Sequence, residues 1–199
     1  DVGDRIKAIR TLWAEASTPR TQYARLILTA RAASWIPADA KVEEPEKLIA
    51  SMLSAGYESK AMEWRQVVPR GSVAWGLLAL GDPGAQGPVA YGDFDAFKDA
   101  AGQRRAQLAF AGLAGLGRFE SSDARRGAQA LEVQIGAQND WTRAIDAAGR
   151  RGDSAMVALL AAVGMQSRVW DNVTPEALFH IVAAMRAAGM TSYARMIAV

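Results

Sequence analysis

The sequence predicts an all-α protein built of antiparallel helical hairpins stacked as an irregular α-solenoid or superhelix. Three observations predict it. Apolar residues recur at three- and four-residue intervals along most of the 199-residue chain, the period of an amphipathic helix. Helix starts are marked by Ser, Thr, Asp or Pro and helix ends by glycine, which reaches the left-handed conformation without a Cβ penalty. Finally, one unit occurs twice, as LSAGYESKAMEWR at 53–65 and RAAGMTSYARMIA at 186–198. In each, a helix ends at Ala-Gly, a large apolar residue and a short polar turn follow, and an alanine opens the next helical stripe, so the short connection sets neighbouring helices side by side.

Taken in order, Ile6, Ile9, Leu12 and Trp13 define the first helix. In STPRTQYARLILTARAAS, Thr18 is the expected N-cap and Pro19 the first helical residue, where its missing N–H costs nothing. Tyr23, Leu26, Ile27 and Ala30 are then expected on one face. After the connector WIPADAKVE, Pro45 opens a helix striped by Leu48, Ile49, Met52 and Leu53 and closed by Gly56. Ala61, Trp64, Val67 and Val68 restart the period. SVAWGLLALG suits a buried strand or a helix by periodicity, and its Ala and Leu content favours a helix from Ser72. Asp93 is the expected cap of FDAFKDAAGQRRAQLAFAGLAGLG, with a break at Gly102 and an end at Gly117. Ser122 is expected to start DARRGAQALE, Asn139 or Asp140 to start WTRAIDAAGRR, and Asp153 to cap SAMVALLAAVG, which ends at Gly164. Thr174-Pro175-Glu176 is the clearest helix start. It leads a stripe of Leu178, Ile181, Val182 and Met185 that ends at Gly189. Only LEVQI alternates like a strand, and a lone short strand has nothing to pair with.

The segment GDPGAQGPVAYG, residues 81–92, resists regular structure and divides N-terminal hairpins (1–80) from C-terminal hairpins (93–199), which together can still form one continuous domain. It reads as a crossover between helical layers or as a binding loop presenting Tyr91. The turn glycines Gly56, Gly117, Gly164 and Gly189 are unevenly spaced, so any repeat is degenerate. Within two of the units, Leu48, Ala55, Gly56, Tyr57 and Ala61, then Ile181, Ala188, Gly189, Met190 and Ala194, resemble the paired helices of tetratricopeptide-like repeats. That resemblance implies a stacked α-solenoid and a partner bound on its concave surface. The chain departs from the family in its period and in the turn VVPRGS, where the family carries a proline at the unit's end.

Composition excludes much. There is no cysteine, hence no disulfide, thiolate nucleophile or cysteine-ligated metal. The single histidine, His180, rules out paired-histidine metal sites within one chain and is expected to be a structural imidazole. With 23 basic and 21 acidic residues, charge provides no footprint for nucleic acid, and Arg104-Arg105, Arg125-Arg126 and Arg150-Arg151 sit on separate segments among acidic neighbours. No run approaches ~18 apolar residues, so no transmembrane helix is expected. The start DVGDRIKAIR, without Met or a signal-like apolar core, suggests a processed or trimmed chain. ARMIAV stops inside an apolar pattern, which predicts an exposed apolar patch at one end of the stack. The compartment stays open between cytoplasm and periplasm or cell envelope, and the oligomeric state is unassigned.

Carboxylate groups at Glu43, Glu44 and Glu46 and at Asp93, Asp95 and Asp99 are expected to serve helix ends, not acid–base chemistry. Glu58-Ser59 and Glu120-Ser121 are the pairs that a peptidoglycan-cleaving enzyme would use, but the surrounding pattern is missing. RGDS at 151–154 is better explained by Asp153 as an N-cap. No catalytic, cofactor-binding or metal-binding residue is assigned, and no cofactor is expected. The reading is a noncatalytic helical-repeat scaffold or adaptor for a protein or polymer partner, with Trp35, Tyr91 and Trp170 as candidate anchors. The alternative is a carboxylate-dependent envelope hydrolase, or its helical accessory domain.

Overall fold

The computed structural model describes residues 1–85, 87–166 and 172–199. Among these it has twelve α-helices, one 3-10 turn and no strand. The helices are α1 (Val2–Ala14), α2 (Pro19–Ala33), α3 (Pro45–Ser54), α4 (Glu58–Met62), α5 (Val73–Gly81), α6 (Tyr91–Ala101), α7 (Gln103–Gly115), α8 (Ser121–Ala130), α9 (Asp140–Arg150), α10 (Ser154–Gly164), α11 (Pro175–Ala187) and α12 (Thr191–Ala198), with the 3-10 turn at Glu63–Gln66.

Local chemistry explains most boundaries. Side-chain oxygens satisfy first-turn amides at Thr18 (from Thr21 N, 3.2 Å), Ser72 (from Trp75 N, 3.1 Å), Asn139 (from Thr142 N, 2.8 Å), Asp153 (from Met156 N, 3.0 Å) and Thr174 (from Ala177 N, 3.1 Å). Two expected starts move. α6 begins at Tyr91, so Asp93 lies inside the first turn and pairs with Arg70 at 3.2 Å, and α8 begins at Ser121 behind Glu120. LEVQI is a turn that drives Leu131 and Val133 into the core.

Five helix ends share one device. After α3, the Tyr57 amide reaches back to the Met52 carbonyl (2.9 Å) and the Gly56 amide to Leu53 (3.2 Å). After α11, Met190 reaches Met185 (2.8 Å) and Gly189 reaches Arg186 (3.1 Å). These are Schellman caps, and the residue between the two bonds must be left-handed. Gly56 and Gly189 both have φ of 78°. The same pair of bonds closes α7, α8 and α9, with Glu132 taking the left-handed position after α8. Gly164 is different: it is the last residue of α10 with no left-handed φ, and its missing side chain makes room for the Trp141 ring, whose Nε1 donates to the Leu160 carbonyl at 3.0 Å.

Two apolar clusters form the interior. One joins Ile9, Ile49, Met52, Ala61, Trp64 and Leu78; the other joins Phe94, Phe110, Ile145, Val157 and Ile181, and Trp75 packs against both. Each fully buried large side chain of this kind contributes about 1.5–3 kcal/mol. The expected face of α2 is rotated. Tyr23 and Ile27 are exposed, while Thr29, Ala30 and Ala33 are buried. The reason is a hydroxyl relay: Trp13 Nε1 donates to Thr29 Oγ1 (2.9 Å), which lies 3.2 Å from Ser51 Oγ, and Ser51 donates to the Leu26 carbonyl (2.6 Å).

Packing follows chain order from α1 through α2, α3 and α5 to α6 and α7, and then departs from it. α11 packs against both α7 and α9, and α12 returns to α5 and α7. Gly115 of α7 faces Val182, and Gly149 of α9 meets the backbone of Ala184, so α11 lies against two glycine-lined neighbours.

Candidate partner-binding site

Where the flanks of α2, α3, α5 and α7 meet, the surface forms a cleft of about 390 Å³. Leu26, Ala50, Leu77, Leu80, Phe97 and Leu108 supply its apolar walls, and Glu46, Lys47 and Arg105 stand among them. Gly76 makes room for the Phe97 ring, which thereby reaches both the core and the cleft wall. An apolar wall with a few charges at its edge suits an apolar segment of a partner and offers little for bond chemistry.

A second, polar cleft of about 330 Å³ lies at the 81–92 segment. Arg65 pairs with Asp82, and Arg70 with Asp93. Arg118 donates to the Gly87 carbonyl (3.0 Å) and the Ala79 carbonyl (3.3 Å), while the Val89 amide donates to the Arg118 carbonyl (2.7 Å). Burial pulls the Arg118 pKa below its ordinary value, and the Asp82 carboxylate works against that shift. Arg118 therefore ties Gly87 and Val89 to the end of α5, while Arg65 and Arg70 hold Asp82 and Asp93.

The three expected aromatic anchors fare differently. Trp35 is 62% exposed, with the guanidinium carbons of Arg5 and Arg31 at 5.5 and 5.8 Å from its ring centroid. Tyr91 is not presented by the loop: as the first residue of α6 it is only 9% exposed, packed near Phe94 and covered by Arg126 at 4.2 Å. The Tyr91 ring packs beside Phe94 one turn along its own helix and is covered by the Arg126 guanidinium of α8. Trp170 lies outside the described residues.

His180 is 2% exposed, and its Nδ1 lies 2.8 Å from Asp146 Oδ1, tying α11 to α9. Its Nε2 is buried without a hydrogen-bond partner among the described residues. The sequence pointed to a structural imidazole but not to this carboxylate, which sits 34 positions away on another helix and has no local signal.

Most of the grouped carboxylates face cations. Glu43 and Glu44 meet Arg10, Glu44 also meets Lys47, Asp95 and Asp99 share Lys98, and Glu58 lies 3.6 Å from Arg195. Hydrogen bonds from the Lys47 and Lys98 ammonium groups hold the Glu44 and Asp95 carboxyls below the usual carboxylate range. Among the described residues, no group of three or more acidic, histidine or cysteine side chains is placed to hold a metal ion, and no helix is long and apolar enough to cross a membrane. Comparison with protein-family models, curated proteins and solved structures finds no match.

Proposed function

We propose that the chain is a noncatalytic helical scaffold that receives an apolar segment of a protein partner in the cleft walled by α2, α3, α5 and α7. On this reading, residues 1–80 and 93–199 are two helical units joined by 81–92, and their helices stack as an irregular superhelix with the cleft on its inner side. The observation that carries the proposal is the cleft itself, whose apolar walls come from helices of both units. Its volume lies within the range of about 300–1,000 Å³ common to small-ligand sites, and a few apolar side chains of a peptide fill such a space. Half-buried leucines at its walls leave a groove to be filled without exposing the core.

The test pans a display library of amphipathic peptides on the full chain, with Leu77→Glu and Leu108→Glu as counter-targets. Enriched peptides should carry apolar residues and bind either variant at least about tenfold more weakly, since a charge in the wall must be desolvated. Melting curves by circular dichroism run alongside separate lost binding from lost folding. Peptides that bind folded variants equally well, or a selection that enriches no apolar residues, overturn the reading.

A further inference from the structure

We propose that the Trp35 face of α1 and α2 is a docking surface for an acidic protein segment carrying an apolar side chain. The inference adds a second face to the scaffold reading and stands whether or not the cleft binds anything. Its basis is an imbalance of charge. α2 contains no acidic residue, and its outer side presents Arg20, Ile27, Leu28 and Arg31, with Trp35 just past its C-terminal end, all exposed. Elsewhere on the same two helices Arg10 is neutralised by Glu43 and Glu44, and Arg25 by Glu15 at 3.3 Å. Arg5 and Arg31, by contrast, make no carboxylate ion pair among the described residues, although both flank the indole.

The geometry also fixes what kind of anion fits. Arg5 Nη1 donates to the Trp35 carbonyl at 3.1 Å, which holds that guanidinium beside the ring with its other N–H groups free for a ligand. A carboxylate that reaches both guanidiniums can accept charge-assisted hydrogen bonds, while an adjacent apolar side chain covers Leu28 and the indole edge. Arg5, Leu28, Arg31, Ala32 and Trp35 surround one depression, so both contacts fall within one segment's reach. A lipid surface fits less well, because inserting the indole into hydrocarbon would carry two guanidiniums with it. Single-stranded nucleic acid uses rings and cations of this kind as well, but the exposed Ile27 and Leu28 beside them offer nothing to a sugar-phosphate backbone and favour a protein segment.

The test pans a display library of peptides matched in apolar content but varied in charge on the full chain. Acidic peptides should be enriched. Their affinity should fall at least about tenfold in Arg31→Glu and in Trp35→Ala, and should weaken as salt rises. Leu108→Glu, in the cleft, should leave it unchanged, which separates this surface from the cleft. Phosphatidylserine vesicles and a single-stranded oligonucleotide are assayed in parallel. Enrichment without charge preference, acidic peptides indifferent to Arg31→Glu, stronger binding to vesicles or oligonucleotide, or no binding at all would each overturn the proposal. The substituted side chains are exposed, and a melting curve for each variant confirms that it is folded.

Discussion

The turn from α3 to α4 and the turn from α11 to α12 have the same backbone and different fates. Tyr57 has φ, ψ of −84°, 46° and Met190 has −88°, 43°. Both glycines have φ of 78°, and both following alanines, Ala61 and Ala194, are fully buried. Yet α4 is five residues long and runs into a 3-10 turn beside α3 and α5, whereas α12 packs on α5, α7 and α11. The two turns even approach each other, Arg195 of one lying 3.6 Å from Glu58 of the other. A cap directs how a helix ends; what the next helix packs against depends on surfaces contributed from elsewhere in the chain.

The largest expected effect breaks the difference at α11. Gly149→Ala places a Cβ 2.8 Å from the Ala184 Cα, a backbone atom that cannot swing away, and should cost about 3 kcal/mol in chemical denaturation. Gly81→Ala, on the α3 side, meets the Leu53 methyl at 2.8 Å, which can change rotamer, and should cost about 1 kcal/mol. Equal costs would remove the distinction between a clasped α11 and an adaptable α3.

The next prediction concerns what the turns share. A Cβ at Gly56 or Gly189 meets nothing within 4 Å, so each alanine substitution carries only backbone strain and should cost about 1–2 kcal/mol. The two values should agree within error in urea melts. A difference larger than about 1 kcal/mol would mean that the turns are not energetically equivalent.

The smallest effect lies at the helix starts. α11 is capped by the Thr174 hydroxyl, while Glu44 at the start of α3 makes no side-chain cap and is held in a left-handed conformation with its carboxylate on Lys47 and near Arg10. Because the folded-state pKa of Glu44 is lowered, its contribution is present above the ordinary glutamate pKa and is lost as pH falls through the folded value. The group is exposed, so the effect should be about 0.5 kcal/mol or less. Comparing wild type with Glu44→Gln across acid pH measures it: the gap in stability should close as pH falls, and a gap that widens would reverse the sign.

The stripe of α3, the hydroxyl and carboxylate caps, and the left-handed glycines were legible because each depends on residues within one or two turns. The α2 face was not. Tyr23 and Ile27 look like core residues by hydrophobicity, and only the contact with Ser51 of α3 explains why Thr29 is inside instead, beside the expected Ala30. Of the candidate anchors, Trp35 could be recognised as surface-facing from its place beyond the helix end. Tyr91 looked alike in sequence and is buried beside Phe94 of its own helix under Arg126, which lies 35 positions away on α8 and meets the ring only when the helices pack. The cleft left no motif, since its walls come from separate helices.

By itself the sequence determined where most helices begin and end, because capping bonds and left-handed backbone are short-range and tied to residue type. Tertiary structure alone decided which faces are buried, that α11 packs against both α7 and α9, and that His180 meets Asp146. Those outcomes depend on side-chain volume at crossings between distant segments, where a glycine and its opposing residue act as a pair that no local window contains.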